Sequence, residues 1–137
     1  MRPARLAPAA ARPRFFAMFA PSMQLTGSTT ADRNAVTWAI KEAMGEVGAV
    51  LTDARMFSNM STVFTFELRA EDVAPFAATL ARTELRLSDA SLAVLGALDA
   101  RVKSGALEPT TELAGTLNVT FVHHDPDLSI DVPAVPG

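Results

Sequence analysis

The chain has 137 residues, 49% of them hydrophobic and 20% charged, with a net charge of −3 and no cysteine. That length suits one domain around one core, and the composition is globular, not disordered. The missing cysteines exclude disulfides, thiolate metal sites and a cysteine nucleophile. The acidic balance excludes a basic nucleic-acid footprint, and no apolar run reaches the roughly 18 residues of a membrane span.

Residues 1–21 stand apart. Arg2, Arg5, Arg12 and Arg14 sit among alanine and proline, without an acid. Pro3, Pro8, Pro13 and the arginines interrupt the apolar centre a secretory signal needs. A transit peptide fits the arginines but not the prolines or the scarcity of serine. The expectation is a flexible N-terminal arm, or a true start at Met18 or Met23. Phe15, Phe16, Met18 and Phe19 form an apolar cluster that reads as an edge strand or as an arm laid over the body.

From Met23 to Gly27 apolar and polar residues alternate, a strand signal of period two. Small residues follow, and Asp32 or Thr30 is placed to cap a helix by accepting from its unpaired first-turn N–H groups. Over 33–47, Val36, Ile40, Ala43, Met44 and Val47 share one stripe at about 100° per residue, with Trp38 on the polar side. Gly48 stands where a left-handed stop is wanted. A strand is expected over 49–57, with Val50, Thr52, Ala54 and Met56 on one face and Leu51, Asp53, Arg55 and Phe57 on the other. Ser58-Asn59-Met60 makes a hairpin connection to a second strand over 62–68, where Phe64, Phe66 and Leu68 share a face.

A second helix begins near Glu71 or Asp72, with Pro75 in its tolerant first turn and Val73, Phe76, Ala77 and Leu80 inward. Residues 85–87 read as an extended link. Ser88-Asp89 caps a third helix with a Leu92, Leu95, Leu98, Val102 stripe, and Gly105 ends it. A last strand spans 115–123, and 128–132 reads as a C-terminal edge strand or tail. The order predicts an α+β fold. It is a ferredoxin-like βαββαβ sandwich with a four-stranded antiparallel sheet, helices on one face, and an inserted helix before the last strand. The uncovered face, carrying Val50, Met56 or Val63, is expected to be covered by a second copy or by the terminal arms.

The stretch Asp32-Arg33-Asn34-Ala35-Val36, with Ile40, Met44, Val47, the stop at Gly48 and Leu51 beyond it, resembles the opening of the ACT domain family. The hairpin through Ala54-Arg55-Met56-Phe57 and Phe64-Thr65-Phe66 is similar as well. The resemblance covers about 22–82 and, loosely, 115–123, within an expected domain of 22–124 followed by a tail over 125–137. It implies a regulatory role: binding an amino acid or similar metabolite at the contact of paired domains, and passing the signal to an attached enzyme. With no catalytic domain in this sequence, the expectation is a homodimer in the cytoplasm that acts on a separate enzyme. The resemblance places the ligand against the first strand–helix loop, at Gly27, Ser28, Thr29, Thr30, Asp32, Arg33, Asn34 and Ala35, where a helix N-terminus offers donors to a carboxylate. The family's Pro-Gly is replaced by Asn34-Ala35, whose methyl group narrows the approach to the backbone. The alternative is a dimerisation or interaction module without a small ligand.

Other residues invite chemistry. His123-His124-Asp125-Pro126-Asp127 has metal-ligand types, but adjacent strand histidines point to opposite faces and the sequence reads as a solvated turn. Asp53 and Glu67 on neighbouring strands lack a cleft for acid–base work. No catalytic residue, metal or cofactor is assigned. Trp38 is read as covered by the Phe15–Phe19 arm or partly exposed, or more sharply as a partner anchor. The expected interface residues are Trp38, Val50, Met56 and Val63.

Overall fold

The computed structural model describes residues 22–58 and 60–122. Its helices start and stop on local signals. Helix α1, Arg33–Glu46, begins with the Asp32 carboxylate accepting from the Ala35 N–H at 3.0 Å. It ends at Gly48, whose φ of +77° suits a residue without Cβ. There the Ala49 N–H donates to the Met44 carbonyl and the Gly48 N–H to the Gly45 carbonyl, satisfying two end-of-helix acceptors. A 3₁₀ turn, Ala70–Asp72, leads into α2, Val73–Ala81, with Pro75 in the first turn. Helix α3, Asp89–Lys103, is capped by Ser88 and closed at Gly105 by the same pair of bonds as α1.

Five strands complete the domain: β1, Ser22–Thr29; β2, Val50–Ser58; β3, Ser61–Arg69; β4, Arg86–Leu87; and β5, Glu112–Phe121. They lie in the order β2-β3-β5-β1-β4. The architecture is α+β, but the sheet corrects the expected four antiparallel strands. It is mixed, with β5 parallel to β1 and every other neighbouring pair antiparallel. The link at 85–87 forms edge strand β4 beside β1. The expected last strand, β5, lies between β3 and β1, and β4 takes the edge. The cause is α3. It starts beside Thr26 and returns the chain to the end of the sheet where β1 begins, so the next strand runs in the same direction as β1.

Alternation along the central strands separates two faces. Met23 and Leu25 of β1, Phe64, Phe66 and Leu68 of β3, and Leu113, Leu117, Val119 and Phe121 of β5 are buried. They meet Val36, Ile40 and Met44 of α1, Val73, Phe76 and Leu80 of α2, and Leu95 and Leu98 of α3 in one core. At its middle the Phe66 ring tilts against Phe76, centroids 5.1 Å apart, and lies over Gly115. A Cβ on Gly115 would stand 2.6 Å from that ring and 2.8 Å from Met23. The expected α3 stripe is corrected in one position: Leu92 is exposed and Ser91 is buried in its place. Steps of three from 92 to 95 to 98 drift around the helix, whereas 91, 95, 98 and 102 advance by four, three and four and hold one face.

The open face carries cross-strand rows that are mostly polar. Register places Arg55, Val63, Asn118 and Thr26 in one row, and Asp53, Thr65, Thr116 and Gln24 in the next. An apolar bare face was expected. Only Val63 and Val50 of the named residues lie on it, and Met56 pairs with Thr62 on the helix side. The expected alternation of β2 fails because its register slips at Thr52 and again at Phe57. A bulge adds one unpaired residue, so every side chain beyond it changes face.

Candidate functional site

The β4 edge of the sheet is where polar side chains converge. Strand β4 pairs with β1 only through Leu87 with Gly27 and Arg86 with Ser28. Gly27 permits this approach: a Cβ there would meet the Leu85 side chain at 2.9 Å and the Arg86 carbonyl at 3.0 Å. Beyond Leu87 the outer edge of β1 is satisfied by serines instead of a strand. The Thr26 N–H donates to Ser91 Oγ at 2.8 Å, and the Thr26 carbonyl accepts from the Ser88 N–H at 2.9 Å and from Ser91 Oγ at 3.3 Å. Thr26 Oγ1 donates to Ser88 Oγ, which donates to Ser91 Oγ. This closed network pins the start of α3 to β1 and covers an edge that would otherwise present unpaired backbone groups.

Above the network lies an open groove of about 540 Å³, lined by Thr26, Gly27, Ser28, Arg86, Leu87, Ser88, Asp89 and Thr120. Arg86 and Asp89 bring opposite charges to it. Among the described residues neither forms an ion pair, so both are available to a ligand. Ser28 and Thr120 are register partners and add hydroxyls to the same row as Arg86. A guanidinium, a carboxylate and flanking hydroxyls suit a small zwitterion: carboxylate to Arg86, ammonium to Asp89.

Of the residues expected to bind ligand, Gly27 and Ser28 line this groove, and the others do not. Thr29 is buried and its hydroxyl accepts from the Ala31 N–H. Thr30, Asp32, Asn34 and Ala35 are exposed at the start of α1, and Arg33 reaches the Met56 sulfur at 3.9 Å. The Asp32 carboxylate already occupies the Ala35 N–H and sets a negative charge where a ligand carboxylate was expected. Arg86 and Asp89 escaped sequence reasoning. One sat in a presumed link and the other in a helix cap, and only the pairing of β4 with β1 joins them to Ser28.

The expected interface residues are dispersed. Val50 and Val63 belong to the open face, Met56 to the helix side of the edge strand, and Trp38 to the outer surface of α1. Trp38 lies by a smaller trough of about 290 Å³ between α1 and α2, with Ala39, Glu42, Ala43, Glu46, Thr79, Arg82 and Thr83. Among the described residues no three potential metal ligands gather, and no helix is long and apolar enough to cross a membrane. His123, His124, the Phe15–Phe19 cluster and residues 128–132 lie outside the described residues. Comparison with protein-family models, with curated proteins and with solved structures finds no match to this chain.

Proposed function

We propose that this chain is a regulatory binding module of the ACT-like kind, taking an amino acid or similar small zwitterion in the groove between β1 and β4. The observation that supports this reading is the pair of uncommitted opposite charges, Arg86 and Asp89, in one groove with Ser28 and Thr120. In this reading the regulated enzyme is a separate chain. A thermal-shift screen with the amino acids tests the reading. A ligand at 100 times its Kd adds about 2.7 kcal/mol to the native state, which raises Tm by several degrees. Arg86→Gln and Asp89→Asn should each abolish that rise while leaving the unliganded Tm in place. No rise with any amino acid at millimolar concentration would refute it.

A second reading, a pairing module without small ligand, draws on β2. This strand is at the edge of the sheet, with Val50, Met56 and Phe57 each more than half exposed. A homodimer joined there, or across the open face, would sediment as a dimer at tens of micromolar. A monomer at that concentration argues against it.

A further inference from the structure

Trp38 is 65% exposed on the outer surface of α1, and the chain has no other tryptophan. Steps of four residues carry the same surface strip to Glu42 and then Glu46. Ala39 and Ala43 leave a trough beside the strip, closed on its far side by Thr79, Arg82 and Thr83 of the α2 end. Arg82 is committed to Glu46 at 3.4 Å, whereas Glu42 has no ion-pair partner among the described residues. An indole face next to an uncommitted carboxylate is a receptor for a guanidinium: the ring attracts the cation and the carboxylate accepts its hydrogen bonds.

The chain itself carries a ligand of that chemistry. Four of its twelve basic residues and none of its fifteen acidic ones fall in residues 1–21, so the remainder has eight basic residues and a net charge of −7. Arg12 and Arg14 directly precede Phe15 and Phe16, so one short stretch holds both the cations and the apolar rings that such a trough accommodates. Residues 14–19 are three to eight positions from Ser22, roughly 10–30 Å of extended chain. Ser22 lies in one cross-sheet row with Val50, three strands away, so the segment leaves the sheet at the end where α1 stops.

We propose that residues 12–19 dock onto the Trp38 trough of the same molecule, with an arginine over the indole and against Glu42. The test uses the full chain, with acrylamide quenching of the single tryptophan as readout. Docking predicts a shielded, blue-shifted Trp38. Phe15→Ser with Phe16→Ser, or Arg12→Glu with Arg14→Glu, should raise the quenching constant about twofold, the change expected when a covered ring face is freed. Glu42→Arg should do the same, and combining it with Arg12→Glu and Arg14→Glu should restore shielding. Salt at 1 M, where the Debye length is about 3 Å, should loosen the arginine contact. Glu42 is exposed, and circular dichroism checks that each variant is folded. The proposal fails if Trp38 of the unmodified chain is quenched as freely as in the variants. It also fails if shielding disappears on dilution, since the covering segment would then belong to a second molecule.

Discussion

Strands β2 and β3 are nine residues each and pair with one another, yet they carry opposite burdens. Every second residue of β3 is buried, whereas β2 is exposed along almost its whole length, with Phe57 at 65%. Position in the sheet accounts for the difference. β3 lies between β2 and β5 under the helices, while β2 has one neighbour and breaks register twice. The contrast teaches that hydrophobic content alone does not rank strands for stability. Phe57 and Phe66 are the same residue type on adjacent strands, and only the second is enclosed.

Mutagenesis can break or sharpen this contrast. Phe66→Ala should have the largest effect, a loss of about 3–5 kcal/mol measured by urea unfolding, because it empties the contact among Phe76, Gly115 and Met23. Gly115→Ala on β5 should cost about 1–3 kcal/mol, since its methyl group meets the Phe66 ring and Met23. Phe66→Leu in the same chain should recover part of that loss. Asp72 follows β3 through the 3₁₀ turn, and burial raises its carboxyl above the ordinary range, with Arg69 opposing and Glu71 adding to the rise. The folded state therefore holds this proton more tightly than the unfolded chain. The stability it gives is present below pH 3.8, the ordinary value, and is lost as pH rises through the folded value. Asp72→Asn should be more stable than the parent at pH 7, with the gap closing in titrated unfolding as pH falls below that point. Phe57→Ser on β2 should change stability by no more than about 0.5 kcal/mol. A loss of several kcal/mol there would mean that β2 is covered by something the fold alone does not provide.

Local signals were legible in the sequence. Asp32, Gly48, Ser88 and Gly105 mark helix ends because caps depend on a few adjacent residues. The core faces of α1 and β3 were legible because their spacing is regular. What could not be read depends on distant pairing. The register slip at Thr52 in β2 reversed the face assigned to Met56, and no residue type announces it. The insertion of β5 between β1 and β3 follows from where α3 delivers the chain. The candidate site was half legible. Gly27 and Ser28 stood in the expected loop, whereas Arg86 and Asp89 join them only through a two-residue strand 58 positions downstream of Ser28.

The placement of β5 has a consequence for how the molecule is made. The last described strand bridges the first to the β2–β3 hairpin, so a chain still emerging from the ribosome owns only two unjoined pieces of sheet. Met23, Leu25, Phe64 and Phe66 must wait for residues 112–121 before they are enclosed. Assembly of this domain is therefore postponed until residues 112–121 have emerged, and until then Phe64 and Phe66 remain an aggregation-prone apolar surface.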